Sequence, residues 1–367
     1  MRKLSMGSIA FLMLSGAANA GVVAADVVSS TEPPDCGQMY TPPFGSSTDA
    51  GPRPCAEPQA RVYRPRYQGV GYDALNLESE ACFVPDSAYQ LLDRIVDEVR
   101  SRVAAEGLNT RGPDRRRIMQ RISALTGETL ADLGFGLYIP TETLSDALMQ
   151  REASGEPPRH LVDCDTSSLI LLTVAKSYGL PASLVDITLP SGSGHNYVRW
   201  QVDSNSYFDW DTNGRSECTT PSGLPSYEGR GMTHDQTKAY LFFVRALIWK
   251  KRQNYERAVA DYRRATTLDP TQPDPLNNVA WMIATRDFPG RQNEKQFALS
   301  AATQAVAIRP SANQLDTLAC THALNGDFAQ AATVQARAIV ADPDNSEFRE
   351  RLAMFQGLSP RDCTGLT

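Results

Sequence analysis

Between Pro85 and Gly107 the apolar residues Leu92, Ile95, Val96, Val99 and Val103 return every three or four positions, the spacing of one buried helix face, and Asp86 or Ser87 is placed to cap its start. A second helix is expected over 115–125 and a third over 141–149. After Asp163, a natural cap, a helix is expected through Leu169, Leu172, Ala175 and Lys176. Gly179, which tolerates a left-handed turn, and Pro181, which cannot continue a helix, stop it. The period then changes to two. Residues 182–188 are rich in Val, Ile and Leu, and 195–202 and 206–211 alternate, with Asp203, Ser204 and Asn205 as turn residues between them. Lead-in helices followed by antiparallel strands make an α+β pattern.

Beyond residue 235 the pattern is helical throughout. Pro270, Pro310 and Pro343 end three similar units, spaced 40 and 33 residues apart. Tyr255, Ala258, Tyr262, Ala265 and Pro270 in the first unit, and Gly326, Phe328, Ala331, Ala338 and Pro343 in the third, hold the small, aromatic and helix-ending positions. The middle unit opens on Asn277-Asn278-Val279-Ala280-Trp281, keeps Ala298, Ala305 and Pro310, and has a longer loop around Pro289-Gly290-Arg291. Small residues let paired helices approach, aromatics fill the gap, and Pro ends the second helix. These residues resemble tetratricopeptide repeats, which implies an all-α solenoid over 235–357 and a protein partner held by it. Arg245, Gln335 and the lack of a Gly in the first unit depart from the pattern. Phe348, Leu352 and Phe355, flanked by Glu347, Arg349 and Glu350, read as a closing helix, and 358–367 is a tail.

At the N-terminus, Arg2 and Lys3 precede the apolar run 9–14, and Ala18-Asn19-Ala20 supplies small residues for cleavage. Residues 1–20 are therefore expected to be a signal peptide, with the mature chain periplasmic or secreted and without a membrane span. Residues 21–63 are rich in Pro, Gly, Ser and Thr and read as a linker or extended arm, expected to be poorly ordered. Export changes how the seven cysteines are read. Cys36, Cys55, Cys82, Cys218, Cys320 and Cys363 are available for bridges, which leaves Cys164 as the thiol with a chemical reason to stay free. Six cysteines allow 15 connectivities and the sequence does not choose between them; Cys36 with Cys55 would staple the Pro-rich segment and Cys320 with Cys363 would tie the tail to a late helix. A net charge of −6 argues against nucleic acid as the main partner.

The candidate chemistry lies in the α+β part. A thiol at a helix start, then an imidazole, then a carboxylate is an order that activates sulfur for attack on a carbonyl. Cys164 stands at the helix start, His195 opens a strand, and Asp211 ends the next one. In a hairpin turning near Ser204-Asn205, His195 falls opposite residues near 213, so Asp211 is the nearer orienting acid and Asp209 the reserve. The helix N-terminus and a nearby imidazolium should both favour the thiolate. The Cys164 amide is a natural oxyanion donor, and a second donor is not assigned. Arg199 and Trp200 either line a substrate cleft or read as a salt-bridged surface residue and core packing, the second being preferred. With four histidines, no His-Glu-x-x-His spacing and no Cys-x-x-Cys pair, neither a zinc site nor any cofactor is expected. Ser191-Gly192-Ser193-Gly194 reads as a flexible turn before His195, and His160 as a loop residue.

Asp163-Cys164-Asp165-Thr166-Ser167-Ser168, Gly179-Leu180-Pro181, His195-Asn196-Tyr197-Val198-Arg199-Trp200 and Trp210-Asp211-Thr212 together resemble the transglutaminase-like branch of papain-like thiol enzymes. The resemblance implies a transglutaminase-like, papain-type domain over 64–232, a helical lobe plus an antiparallel sheet. It also implies a Cys164–His195–Asp211 catalytic set acting on an amide or ester of a protein or peptide substrate, as peptidase, amidase or acyl transferase. The competing reading is a non-enzymatic envelope scaffold, in which the repeats bind a partner and the α+β part is inactive.

Overall fold

The computed structural model describes residues 56–137, 143–149, 160–188, 194–212, 216–218, 229–358 and 360–366. The expected signal peptide, residues 21–55 of the arm with Cys36 and Cys55, and residues 191–193 of the Gly-Ser turn lie outside the described residues.

Three helices lead in: α1 (Val70–Ala81), α2 (Asp86–Ala105) and α3 (Arg115–Asp132). The apolar stripe of α2 is fully buried and meets Ile118, Met119 and Ile122 of α3 in one core. Asp86 is the first helical residue of α2 rather than its cap. Its carboxylate accepts from the Tyr63 amide and so helps pin the end of the arm. Helix α1 was not expected from the sequence. Its buried face holds Gly71, Tyr72, Ala74, Leu75 and Glu78, a mixture that hydrophobic periodicity cannot reveal. Gly71 is required there because its amide donates to Thr173 Oγ1 at 2.9 Å and a Cβ would stand 2.6 Å from that oxygen.

A short parallel ladder follows, β1 (Phe135–Leu137) with β2 (His160–Val162), and between them comes α4 (Leu144–Leu148), capped by Thr143. His160 is therefore a buried strand residue stacked on Phe135 at 4.6 Å, not a loop residue. Then come α5 (Cys164–Ser177) and an antiparallel sheet in the order β3 (Ala182–Thr188), β4 (Gly194–Gln201), β5 (Tyr207–Asp211), β6 (Ser216–Cys218). Gly179 ends α5 at φ 65°, as its composition led one to expect. Helix α5 is buried almost throughout and packs on β4, so Ile170 and Val174 share a core with Val198 and Trp200.

The C-terminal part is a stack of helical hairpins: α6 (His234–Lys251) with α7 (Tyr255–Leu268), α8 (Pro273–Thr285) with α9 (Lys295–Ile308), and α10 (Ala312–Leu324) with α11 (Phe328–Ala341), closed by α12 (Ser346–Gln356). Ala258, Ala265, Ala298, Ala305, Ala331 and Ala338 are buried at the helix contacts. The departures from the repeat pattern have physical uses. Gly326 turns α10 into α11 at φ 83°, and where the first hairpin lacks a Gly, Gln253 takes the same left-handed turn at φ 58°. Arg245 forks onto Asp261 at 2.7 and 2.6 Å and also pairs with Glu80 of α1, which ties the stack to the lead-in helices. Buried Gln335 donates to Asp316 at 2.7 Å, and Arg351 of α12 closes on the same carboxylate at 2.6 Å. The tail folds back on the stack. Cys363 is bonded to Cys320 of α10, Asp362 pairs with Arg291, and the Gly365 amide donates to the Thr285 carbonyl at 2.8 Å.

Candidate functional site

Asp163 sits in extended conformation before α5 and accepts from the Thr166 amide, while Thr166 Oγ1 accepts from the Asp163 amide. This capping box places Cys164 at the first helical position. The end of β5 is fastened beside it, because the Thr212 hydroxyl lies 2.7 Å from Ser167 Oγ and 3.3 Å from Ser168 Oγ. Thus the first turn of α5 and the strand that carries Asp211 are joined by hydroxyl contacts, and β4, between β3 and β5, brings in His195.

His195 Nε2 lies 3.3 Å from Asp211 Oδ2, with both side chains mostly buried (14% and 11% exposed). A carboxylate on Nε2 holds the proton there and leaves Nδ1 as the basic nitrogen. Asp209 is committed elsewhere. It accepts Arg199 Nε and Nη2 at 2.7 and 2.8 Å, and Arg199 also donates to the Gly229 carbonyl at 2.9 Å. The sheet register explains the division, since Asp209 is directly across from Arg199 while Asp211 lies two residues further, toward His195. Trp200 is fully buried in the core beside Phe208.

Cys164 is the free cysteine among the described residues and is partly buried. Its thiol points to Asp165 Oδ1 at 3.5 Å rather than to the imidazole. Burial pushes the thiol up from its ordinary pKa, with the Asp165 and Asp163 charges adding to the rise and the Asn196 amide opposing it. Desolvation and two neighbouring carboxylates thus act against the thiolate that the helix N-terminus alone would favour. Asp165 is itself raised by burial, while the Cys164 thiol, a Tyr240 hydrogen bond and the His195 charge favour its ionised form. Tyr240 comes from α6 and lines the same pocket as Asp165. Nothing in the local sequence signals that meeting. Asp165 could have been found as the second acid of Asp163-Cys164-Asp165. Among the described residues no cluster of His, Cys, Asp and Glu is arranged to hold a metal ion.

No family model matches the chain, and no curated protein matches it. Several solved structures are similar. The first tetratricopeptide domain of Spaghetti (RPAP3), bound to the HSP90 peptide SRMEEVD, is 20% identical with a TM-score of 0.30 and covers 34% of this chain and 96% of its own. The Arabidopsis OM64 tetratricopeptide domain is 16% identical with a TM-score of 0.29, covering 33% and 97%. The second tetratricopeptide domain of human RPAP3, in complex with the HSP70 peptide SGPTIEEVD, is 17% identical with a TM-score of 0.29, covering 32% and 98%. Within the chain itself, the C-terminal helices form a stack of hairpins with buried alanines at the helix contacts and a closing helix.

Proposed function

We propose that this chain is an exported protein whose helical repeats hold a peptide or protein partner. One observation carries the reading. On α8, Asn277 and Trp281 lie one turn apart, the Asn277 Oδ1 is buried without a hydrogen-bond partner, and the indole is only partly covered, with Arg351 over it at 5.7 Å. A buried acceptor beside an aromatic face suits an extended peptide that donates a backbone N–H and lays an apolar side chain on the ring. Export is supported by the N-terminal sequence and by the Cys320–Cys363 bond, which belongs in an oxidising compartment. The test is to pan a displayed peptide library against the full chain and measure the enriched peptide by fluorescence anisotropy. Trp281→Ala and Asn277→Ala should each weaken it on the order of tenfold. Failure to enrich any sequence, or undiminished affinity in both variants, removes the reading.

A second reading is acyl chemistry at Cys164 on a transglutaminase-like, papain-type fold, and the His195–Asp211 pair favours it. In this mechanism His195 takes the thiol proton and the thiolate attacks an amide or ester carbonyl. The imidazolium then protonates the departing amine or alcohol, leaving a thioester for water or another acceptor to resolve. Asp211 holds the ring in the useful tautomer, as the orienting acid does in comparable sets. An activated aryl ester tests it: Cys164 should acquire the acyl group as the phenolate is released, and His195→Ala should abolish the transfer. Equal acylation of that variant would count against it.

A further inference from the structure

We infer that the repeat half of the chain holds the thiol in check: Tyr240, from the first repeat helix, keeps the Asp165 carboxylate over the Cys164 sulfur. Both are positioning residues of the Cys164 site, and the inference rests on the acyl-chemistry reading above. Tyr240 lies in the second turn of α6, and α6 packs against α1 as well as against α7. One pocket is lined by Tyr240, Asp165, Thr166, Leu169, Glu78 and Leu144, so the repeat helix closes over the first turn of α5. Tyr240 stands beside Asp165 in that pocket and favours its ionised form, and Asp165 Oδ1 in turn takes the Cys164 thiol at 3.5 Å.

Asp165, which takes the thiol, therefore lies among titratable groups from several elements. Asp163 and Asp165 come from the start of α5, Asp186 from β3, His195 from β4, and Tyr240 from α6, with Asp211 of β5 behind the imidazole. An ionised carboxylate in hydrogen-bond contact with the thiol opposes a second negative charge at sulfur, whereas the Asn196 amide favours it. Tyr240 works against the burial that raises Asp165, favouring the ionised form of that carboxylate and helping to hold it in place. Because α6 also begins the hairpin stack, a displacement of the repeats that withdraws Tyr240 loosens Asp165 and releases the thiol.

Alkylation of Cys164 by iodoacetamide, followed across pH by intact mass on the full chain, tests this directly. Asp165→Asn keeps the acceptor but removes the charge, so the midpoint should move to lower pH and the rate near neutrality should rise on the order of tenfold. Tyr240→Phe, which keeps the ring and its packing, should shift the midpoint in the same direction by less. The double variant should react no faster than Asp165→Asn alone, since Tyr240 acts through Asp165. Unmoved midpoints in both single variants, with unfolding midpoints like the parent's, would overturn the inference, as would strictly additive effects. His195→Ala separates the two claims. Slower alkylation there with Asp165→Asn unmoved refutes only the check on the thiol. An unchanged rate there with Asp165→Asn accelerated refutes only the acyl-chemistry reading.

Discussion

Gln253 shows what a single residue can reveal about a repeat. The turn from α6 into α7 needs positive φ, and the turn from α10 into α11 meets the same need with Gly326. A side chain in the left-handed region costs roughly 1–2 kcal/mol, partly offset by the chain entropy that a Gly would lose. Gln253→Gly should therefore raise stability by about 0.5–1 kcal/mol in urea unfolding, and Gly326→Gln should lower it by a similar amount. At the candidate site, residue type and order were legible: Cys164, His195 and Asp211 stood out because each lay at an element end. Strand parity puts Asp209 and Asp211 on one face, so the preference for Asp211 came from its nearness to His195 along the hairpin, and the Arg199–Asp209 pair shows how Asp209 is used instead. The protonation state of the thiol did not follow, because it depends on burial and on charges that arrive from other elements.

Among elements, α12 illustrates how a closing helix is held by polar groups as well as apolar ones. Phe348 and Phe355 cover the last apolar face, while Arg351 and Gln335 share the buried Asp316 carboxylate. Burial raises Asp316, and the Arg351 charge opposes the rise. Arg351→Ala strands that carboxylate and should cost about 3 kcal/mol or more in equilibrium unfolding. Replacing Asp316 and Arg351 together by apolar residues should recover much of the loss, which distinguishes a stranded charge from lost packing. The predicted helices 115–125 and 141–149 were found as Arg115–Asp132 and Leu144–Leu148. Their ends shifted because caps such as Thr143 and contacts with neighbouring helices, rather than apolar period, set them.

For the whole molecule, pH and redox state are the levers the structure exposes. Glu78 is fully buried beneath α4, where the Leu144 and Ser145 amides donate to it at 3.0 and 2.8 Å, and burial pushes it up to about 7. Asp186 is likewise pushed up to about 7, by burial and by neighbouring carboxylates. In both cases the folded state binds the proton more tightly than the unfolded chain. Their contribution is therefore complete below the ordinary carboxylate range and declines as pH rises toward 7. Unfolding in urea should show lower stability at about pH 7.5 than at about pH 5, and Glu78→Gln should flatten that slope. The carboxylates of Asp93 and Asp362 are held below their ordinary range and so add stability that is lost only at more acid pH. The tail supplies the second lever. Cys363→Ser removes a bridge spanning 43 residues and should cost roughly 3–4 kcal/mol, read as a lower Tm that reductant lowers further by much less than it lowers the parent's.

By itself the sequence determined the helix and strand alternation, the three repeats, the position of the Cys164 helix start and the order of thiol, imidazole and acid. Each of these is written in local period, capping or spacing. Helix α1, the parallel ladder under His160, the Glu78 cap of α4 and the meeting of Tyr240 with Asp165 were decided by tertiary structure alone. They join residues far apart along the chain whose types are ordinary where they stand, and only desolvation on folding gives them their energies and their chemistry.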